Sequence, residues 1–197
     1  MGKIFCLMGK SSSGKDTIYK ELLSNEKLKL RRIVPYTTRP KRENETEGVE
    51  YHFVTREDKD RLLDEGKIIE IRTYETVHGP WDYFTVNDGK IDLNKGDYIM
   101  IGTIDAYEML KEYFGIGVVL PIYIEVDDGT RLERALLREK QQEKPKYEEM
   151  CRRFLFDSKD FSKERLESAG IKEIFRNDSL VETVERVSEY IERSEVG

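Results

Sequence analysis

Residues 9–17 read GKSSSGKDT. The pattern Gly9-x4-Gly14-Lys15 makes a loop whose backbone N–H groups can turn inward onto phosphate oxygens, with the lysine as a point charge for the β- and γ-phosphates. Such a loop works between a strand and a helix, because the helix N-terminus adds partial positive charge. The flanking sequence predicts both. KIFCLM (3–8) is a short apolar run bounded by Gly9, and DTIYKELLSN (16–25) sets Ile18, Leu22 and Leu23 on one face. A Gly/Ser turn of purely structural purpose has no use for the lysine. Gly9, Ser11, Ser12, Ser13, Gly14, Lys15, Asp16 and Thr17 are therefore candidates for binding ATP.

One letter departs from the pattern. Asp16 stands where a Ser or Thr would hold Mg²⁺. A carboxylate is a good hard ligand for Mg²⁺, but without the ion it repels phosphate. Either Asp16 ligates the metal, directly or through water, or it is a helix-terminal carboxylate and Thr17 takes the metal-side role. Both are metal candidates.

A second group follows in YTTRPKRENETEGVEYHFV (36–54), where Arg39 and Arg42 lie three apart with Tyr36 and Tyr51 near them. Guanidinium forks suit a terminal phosphate. Downstream come Glu70, Tyr83 and Thr85. A carboxylate can accept from the N1–H and N2–H₂ edge of guanine, which adenine lacks. A solvated charged loop would explain Lys41 and Glu45, but not the paired arginines, Gly48 and Tyr51.

These residues need a scaffold, and the chain alternates strand and helix. Further strands are predicted at 30–36, 51–54, 68–75, 81–86, 98–104, 117–126 and 171–176. Helices are predicted from a Thr55/Asp58 cap to Glu65, over 105–114, from 130 to about 139 and over 150–168; a last one runs from a Ser179 cap to about Arg193. Residues 138–149, charged and broken by Pro145, suit a mobile segment. This rhythm predicts an α/β fold: three layers, α/β/α, with a parallel core sheet. Residues 37–87 break it and are read as an insertion with a small mixed sheet. The core is then 1–36 and 88–197, with a helical lid at 138–152.

The 197 residues suffice for one core domain plus insertions. With 38% charged residues and a net charge of −6, the chain is not expected to bind DNA or RNA. No apolar run approaches the roughly 20 residues that span a membrane, and a cytoplasmic location is expected. Cys6 reads as a buried apolar residue. His52 and His78 show no metal spacing.

The ordered motifs resemble the guanylate kinase family of P-loop nucleoside monophosphate kinases over nearly the whole chain. TTRPKRENETEGVEYHF is similar to the family's T-T-R-x-x-R-x-x-E-x-x-G-x-x-Y-x-F. The resemblance implies that Arg39, Arg42, Tyr51 and Tyr83 hold the acceptor phosphate and that Glu70 and Thr85 hold the base. GPWDYFTV (79–86) is a looser match to G-N-Y-Y-G-[ST]. RALLREK (134–140) and CRRF (151–154) resemble the lid arginines, pointing to Arg138 and Arg153, and FRNDSLVETVERV (175–187) resembles the family's ending, which gives Asn177 a donor-site role. Lys15, Arg39, Arg138 and Arg153 would be catalytic. The implied reaction is transfer of phosphate from ATP, with Mg²⁺, to a nucleoside monophosphate, GMP first.

Two departures bear on this. G-K-D-[ST] is similar to kinases of ribose 1,5-bisphosphate, so another phosphorylated acceptor is a second reading. In YIMIGTIDAY (98–107), Gly102 and Ile104 stand where the family carries D-x-D, and Asp105 could compensate only by a slip of register. A third reading is a silent guanylate-kinase-like module that binds phosphoproteins; a decayed ATP loop and lid would mark it, and Gly9, Gly14, Lys15, Arg138 and Arg153 are all present.

Overall fold

A computed structural model describes residues 1–43, 45–76 and 79–195, with the Glu195 side chain excepted. Asn44 and His78 lie outside the described residues.

The core is a five-stranded parallel sheet. Its strands are β1 (Ile4–Met8), β2 (Arg31–Arg32), β7 (Tyr98–Ile101), β8 (Val119–Glu125) and β9 (Ile174–Arg176), in the order β2-β7-β1-β8-β9. Every residue of β1 is fully buried, as expected of a central strand covered on both faces. Its side chains alternate. Ile4, Cys6 and Met8 pack with Ile104, Tyr107 and Leu110 of α3 (Ile104–Phe114) and Leu166 of α6 (Lys163–Ser168). Phe5 and Leu7 pack with Ile18 and Leu22 of α1 (Lys15–Ser24) and with Val187 and Ile191 of α7 (Leu180–Glu195). Two apolar cores on opposite faces of one sheet make the expected three layers. Cys6 lies inside the first, where burial pushes its thiol up to about 12.

A second, mixed sheet holds β3 (Tyr36–Thr37), β4 (His52–Phe53), β5 (Ile68–Tyr74) and β6 (Trp81–Val86) in the order β4-β3-β6-β5. The pair β3–β4 is parallel, while β3–β6 and β5–β6 are antiparallel. Helix α2 (Arg56–Asp64) lies between β4 and β5 in sequence, started by the expected capping box of Thr55 and Asp58.

Three elements differ from expectation. The single strand expected over 30–36 is two strands in two sheets. The chain leaves the core after Arg32 and enters the second sheet at Tyr36, with Pro35, which has no N–H for a ladder, between them. The helix expected over 150–168 is α5 (Tyr147–Asp160) followed by α6. Between them Phe161 turns into the core and stacks on Tyr123 at 5.6 Å, and the Ser162 hydroxyl accepts from Arg165 N–H to start the new helix. The stretch 138–149, expected as a mobile segment, is helical at both ends: α4 (Asp128–Lys140) runs into it and α5 starts inside it. Among the described residues no helix is long and apolar enough to cross a membrane.

Candidate active site

The loop at 9–17 follows β1, whose neighbours are β7 and β8. From β1 the chain passes through α1 to one edge of the sheet, and the other side is filled later by β8 and β9. The loop therefore sits at the switch point of an open parallel sheet, where strand ends leave a crevice. Gly14 caps α1 with φ +85°, and a Cβ there would stand 2.5 Å from Asn177 Nδ2. Only glycine satisfies both conditions. Lys15 is half-buried and has no recorded ion pair among the described residues. The hydroxyl oxygens of Ser12 and Ser13 are buried with no partner in the protein. Unmet polar atoms at such a loop fit a phosphate ligand.

The outer half of the loop is braced from three directions. Arg131 of α4, 1% exposed, donates from Nε to the Ser11 carbonyl at 2.9 Å and from Nη2 to Asp157 Oδ2 at 3.1 Å, and it pairs with Asp128. Asp157 of α5 accepts the Ser11 N–H at 2.7 Å. Asn177, after β9, donates from Nδ2 to the Ser13 carbonyl at 2.8 Å. The Asn177 amide thus holds the loop from behind, a positioning contact.

Beside the loop is a cavity of about 360 Å³ lined by Ser12, Gly14, Asp16, Thr17, Arg134, Arg138, Asn177 and Leu180. Arg138, singled out by its motif, is among these lining residues. Arg134 was missed, although the signal was present: four residues before Arg138, it shares the same helix face. Arg153 does not line this cavity. It is held by Glu149 of its own helix at 2.8 Å. Hydrogen bonds from Arg152 and then Arg153 keep the Glu149 carboxyl down at about 2. Asp16 and Thr17 are exposed at the cavity edge.

In the second sheet, Arg39 is 3% exposed and its fork closes on Glu45, Nη1 to Oε2 at 2.7 Å and Nη2 to Oε1 at 2.5 Å. Its guanidinium lies 5.0 Å from the Tyr51 ring centre and 5.5 Å from that of Phe53. Tyr51 and Tyr83 meet edge to face at 5.5 Å, and burial raises the Tyr51 hydroxyl above its ordinary value. Arg39, Tyr51 and Tyr83 are therefore together. Arg42 contributes its backbone N–H to Glu45 at 2.9 Å, and its side chain is exposed. Glu45, which a solvated charged loop would also have explained, is the anion that Arg39 and the Arg42 N–H bind. Arg39 hydrogen bonds hold its carboxyl below the ordinary range.

At the other end of the expected acceptor site, Glu70 accepts from Thr85 Oγ1 at 2.7 Å. It also accepts from Arg72, Nε to Oε2 at 3.0 Å and Nη2 to Oε1 at 3.4 Å. Arg72 Nη1 reaches the Thr103 hydroxyl at 3.3 Å, and that hydroxyl caps α3. Sequence reasoning missed Arg72. A Cβ on Gly102 would stand 2.7 Å from Cys6 Sγ, and Ile104 is 2% exposed in the core. The register does not slip: Asp105 pairs with Arg165 of α6.

The fold and the loop define a phosphate-loop α/β protein with a second, mixed sheet beside its parallel core sheet. Residues 1–81 match the family model described as guanylate kinase. The guanylate kinase of Neisseria gonorrhoeae is 35% identical over 128 residues, 62% of this chain and 60% of that protein. That of Mycoplasmoides gallisepticum is 40% identical over 73 residues, 37% of each chain. The chain thus spans about 60% of the length of the first of these relatives. The solved guanylate kinase of Anaplasma phagocytophilum superposes with a TM-score of 0.67 at 24% identity, covering 100% of this chain and 87% of that one. The resemblance to the guanylate kinase family holds in sequence and in fold.

Proposed function

We propose that the protein is a nucleoside monophosphate kinase that transfers the γ-phosphoryl group of ATP to GMP, giving GDP and ADP. The observation that carries this is the gathering of cations at the loop. Among the described residues Lys15 has no ion pair, Arg134 and Arg138 line the adjacent cavity, and the one acidic side chain lining that cavity is Asp16. A ligand of several negative charges fits such a place. The names of the related proteins support the acceptor.

The acceptor phosphate is already anionic, so the protein need supply no strong base. Its work is positioning and charge neutralisation. Lys15 and the loop N–H groups hold the donor phosphates. Arg39, Arg42, Tyr51 and Tyr83 hold the acceptor phosphate, which competes with Glu45 for the Arg39 fork. Arg138 closes over the transferring group, joined by Arg153 once it leaves Glu149. Closure of the insertion (37–87) and the lid (138–152) excludes water, which would otherwise take the phosphate.

Asp16 and Thr17 present hard oxygen donors at the cavity edge. That suits Mg²⁺, which takes one or two protein ligands and completes its shell with water and phosphate. When bound, the ion neutralises charge on the donor phosphates. The net charge of −6 favours small nucleotides over nucleic acid as partners, in the cytoplasm.

A coupled ADP-release assay over nucleoside monophosphates and ribose 1,5-bisphosphate tests the reading. GMP is expected to be turned over, and Arg138→Ala to lower kcat by about 10³. Turnover of the sugar bisphosphate with none of GMP refutes it. So does the absence of ATP binding, which would mark a silent binding module.

A further inference from the structure

Glu70, the carboxylate expected to read the base, has a side chain with 0% exposure. Three donors already occupy it: the Thr85 hydroxyl and two nitrogens of Arg72. A carboxylate has about four lone-pair sites, so little is left for a ligand. Its partner Arg72, with a side chain 16% exposed, is the member of the pair that solvent reaches.

Arg72 has donors to spare. Of five N–H groups, Glu70 takes two and Thr103 takes one. Among the described residues nothing else is recorded to accept from the remaining two, one on each terminal nitrogen. Two contacts on Glu70 and one on Thr103 hold the guanidinium plane between β5 and the start of α3. A fork fixed in this way matches a ligand edge with two adjacent acceptors. On a guanine base those are O6 and N7, the pair that arginine reads bidentately. Adenine carries an amino donor in place of O6 and does not match.

We propose that Arg72 is the base-reading residue of this site, that Glu70 is a positioning residue which orients it, and that the acceptor class is therefore 6-oxopurine nucleoside monophosphates, chosen without regard to the 2-amino group. This rests on the acceptor reading given above. The 2-amino group is the one a free Glu70 would recognise, and it is absent from IMP. A site built to bond that group would reject IMP by about 10⁴-fold. A site that reads O6 and N7 accepts IMP nearly as well as GMP.

The test compares kcat/KM for GMP, IMP and AMP in the native protein, in Arg72→Ala and in Arg72→Lys, with melting curves to confirm folding. Native protein is expected to use IMP within about tenfold of GMP and to reject AMP about 10⁴-fold. Arg72→Ala should lower GMP and IMP turnover by about 10–100-fold. It should also uncover Glu70, so that GMP becomes preferred over IMP, a change in ratio that general destabilisation would not produce. Arg72→Lys, a point charge without a fork, should not restore the native values. The native measurement stands alone if a variant fails to fold. GMP phosphorylated with IMP rejected about 10⁴-fold leaves the kinase reading standing and overturns this inference. No phosphorylation of any nucleoside monophosphate overturns both.

Discussion

Replacing Arg131 with methionine tests the brace beneath the phosphate loop. The native guanidinium is 1% exposed and serves the Ser11 carbonyl, Asp157 and Asp128 at once. Removing one partner of a buried ion pair costs about 3–5 kcal/mol, and the charged bond to Ser11 accounts for about 1.5–3 kcal/mol of such a loss. Two features reduce the total. Asp128 has a side chain 51% exposed and can rehydrate, and Asp157 keeps the Ser11 N–H. Methionine also retains packing on the Phe154 ring, which lies 4.8 Å from the native guanidinium. A net loss of about 3 kcal/mol follows, which for a chain of this size lowers the melting temperature by about 6–12 °C. Thermal denaturation followed by circular dichroism reads this directly. Because the brace ends on Ser11, KM for ATP should rise while KM for the acceptor holds. A melting temperature within about 2 °C of native, with ATP affinity unchanged, would refute the reasoning.

Gly14→Ala forces a Cβ into the Asn177 amide at φ +85°; ATP binding measured by calorimetry should be lost, and native affinity would contradict the packing. Gly102→Asp places a Cβ 2.7 Å from Cys6 Sγ and a carboxylate against a buried core; urea denaturation should show a loss of at least about 3 kcal/mol. Asp16→Ser should change the Mg²⁺ dependence of the rate, and identical Mg²⁺ titrations would show that Asp16 is no metal group. The Glu45 carboxyl is held below its ordinary 4.5 by Arg39 hydrogen bonds. Its contribution to stability is therefore full above pH 4.5 and is lost as pH falls through the depressed value. Melting curves of the native protein and Glu45→Gln should differ at pH 7 and converge in acid, and a constant gap would rule this out.

What the sequence disclosed was what neighbouring residues determine. The strand, loop and helix around Gly14 and Lys15 lie within a stretch of about twenty residues, and the Thr55/Asp58 cap is local in the same way. The change of sheet at Pro35 was hidden because 30–36 keeps a strand-like composition throughout, and only pairing partners far along the chain separate Arg31–Arg32 from Tyr36–Thr37. Arg131 and Asp157 read as ordinary charges on amphipathic helices. Their meaning depends on Ser11, 120 and 146 residues away. Arg72 was hidden for a related reason: the two-residue period puts it on the face of Glu70, but its role depends on Thr103, 31 residues away, as a further anchor. The role of Glu45 was not legible because loop charge patterns do not reveal that a buried arginine needs a counter-ion.

The first strand has a kinetic implication as well. Its five residues are divided between two cores on opposite faces of the sheet, Ile4, Cys6 and Met8 in one and Phe5 and Leu7 in the other. Hydrogen exchange at these amides then requires both cores to open together, which amounts to unfolding the whole domain. Their protection should match the global stability, while amides in the peripheral helix α5 exchange through smaller openings. The phosphate loop that follows this strand is thus tethered to the slowest-exchanging part of the chain. Any compliance at the loop has to come from the elements that lean against it.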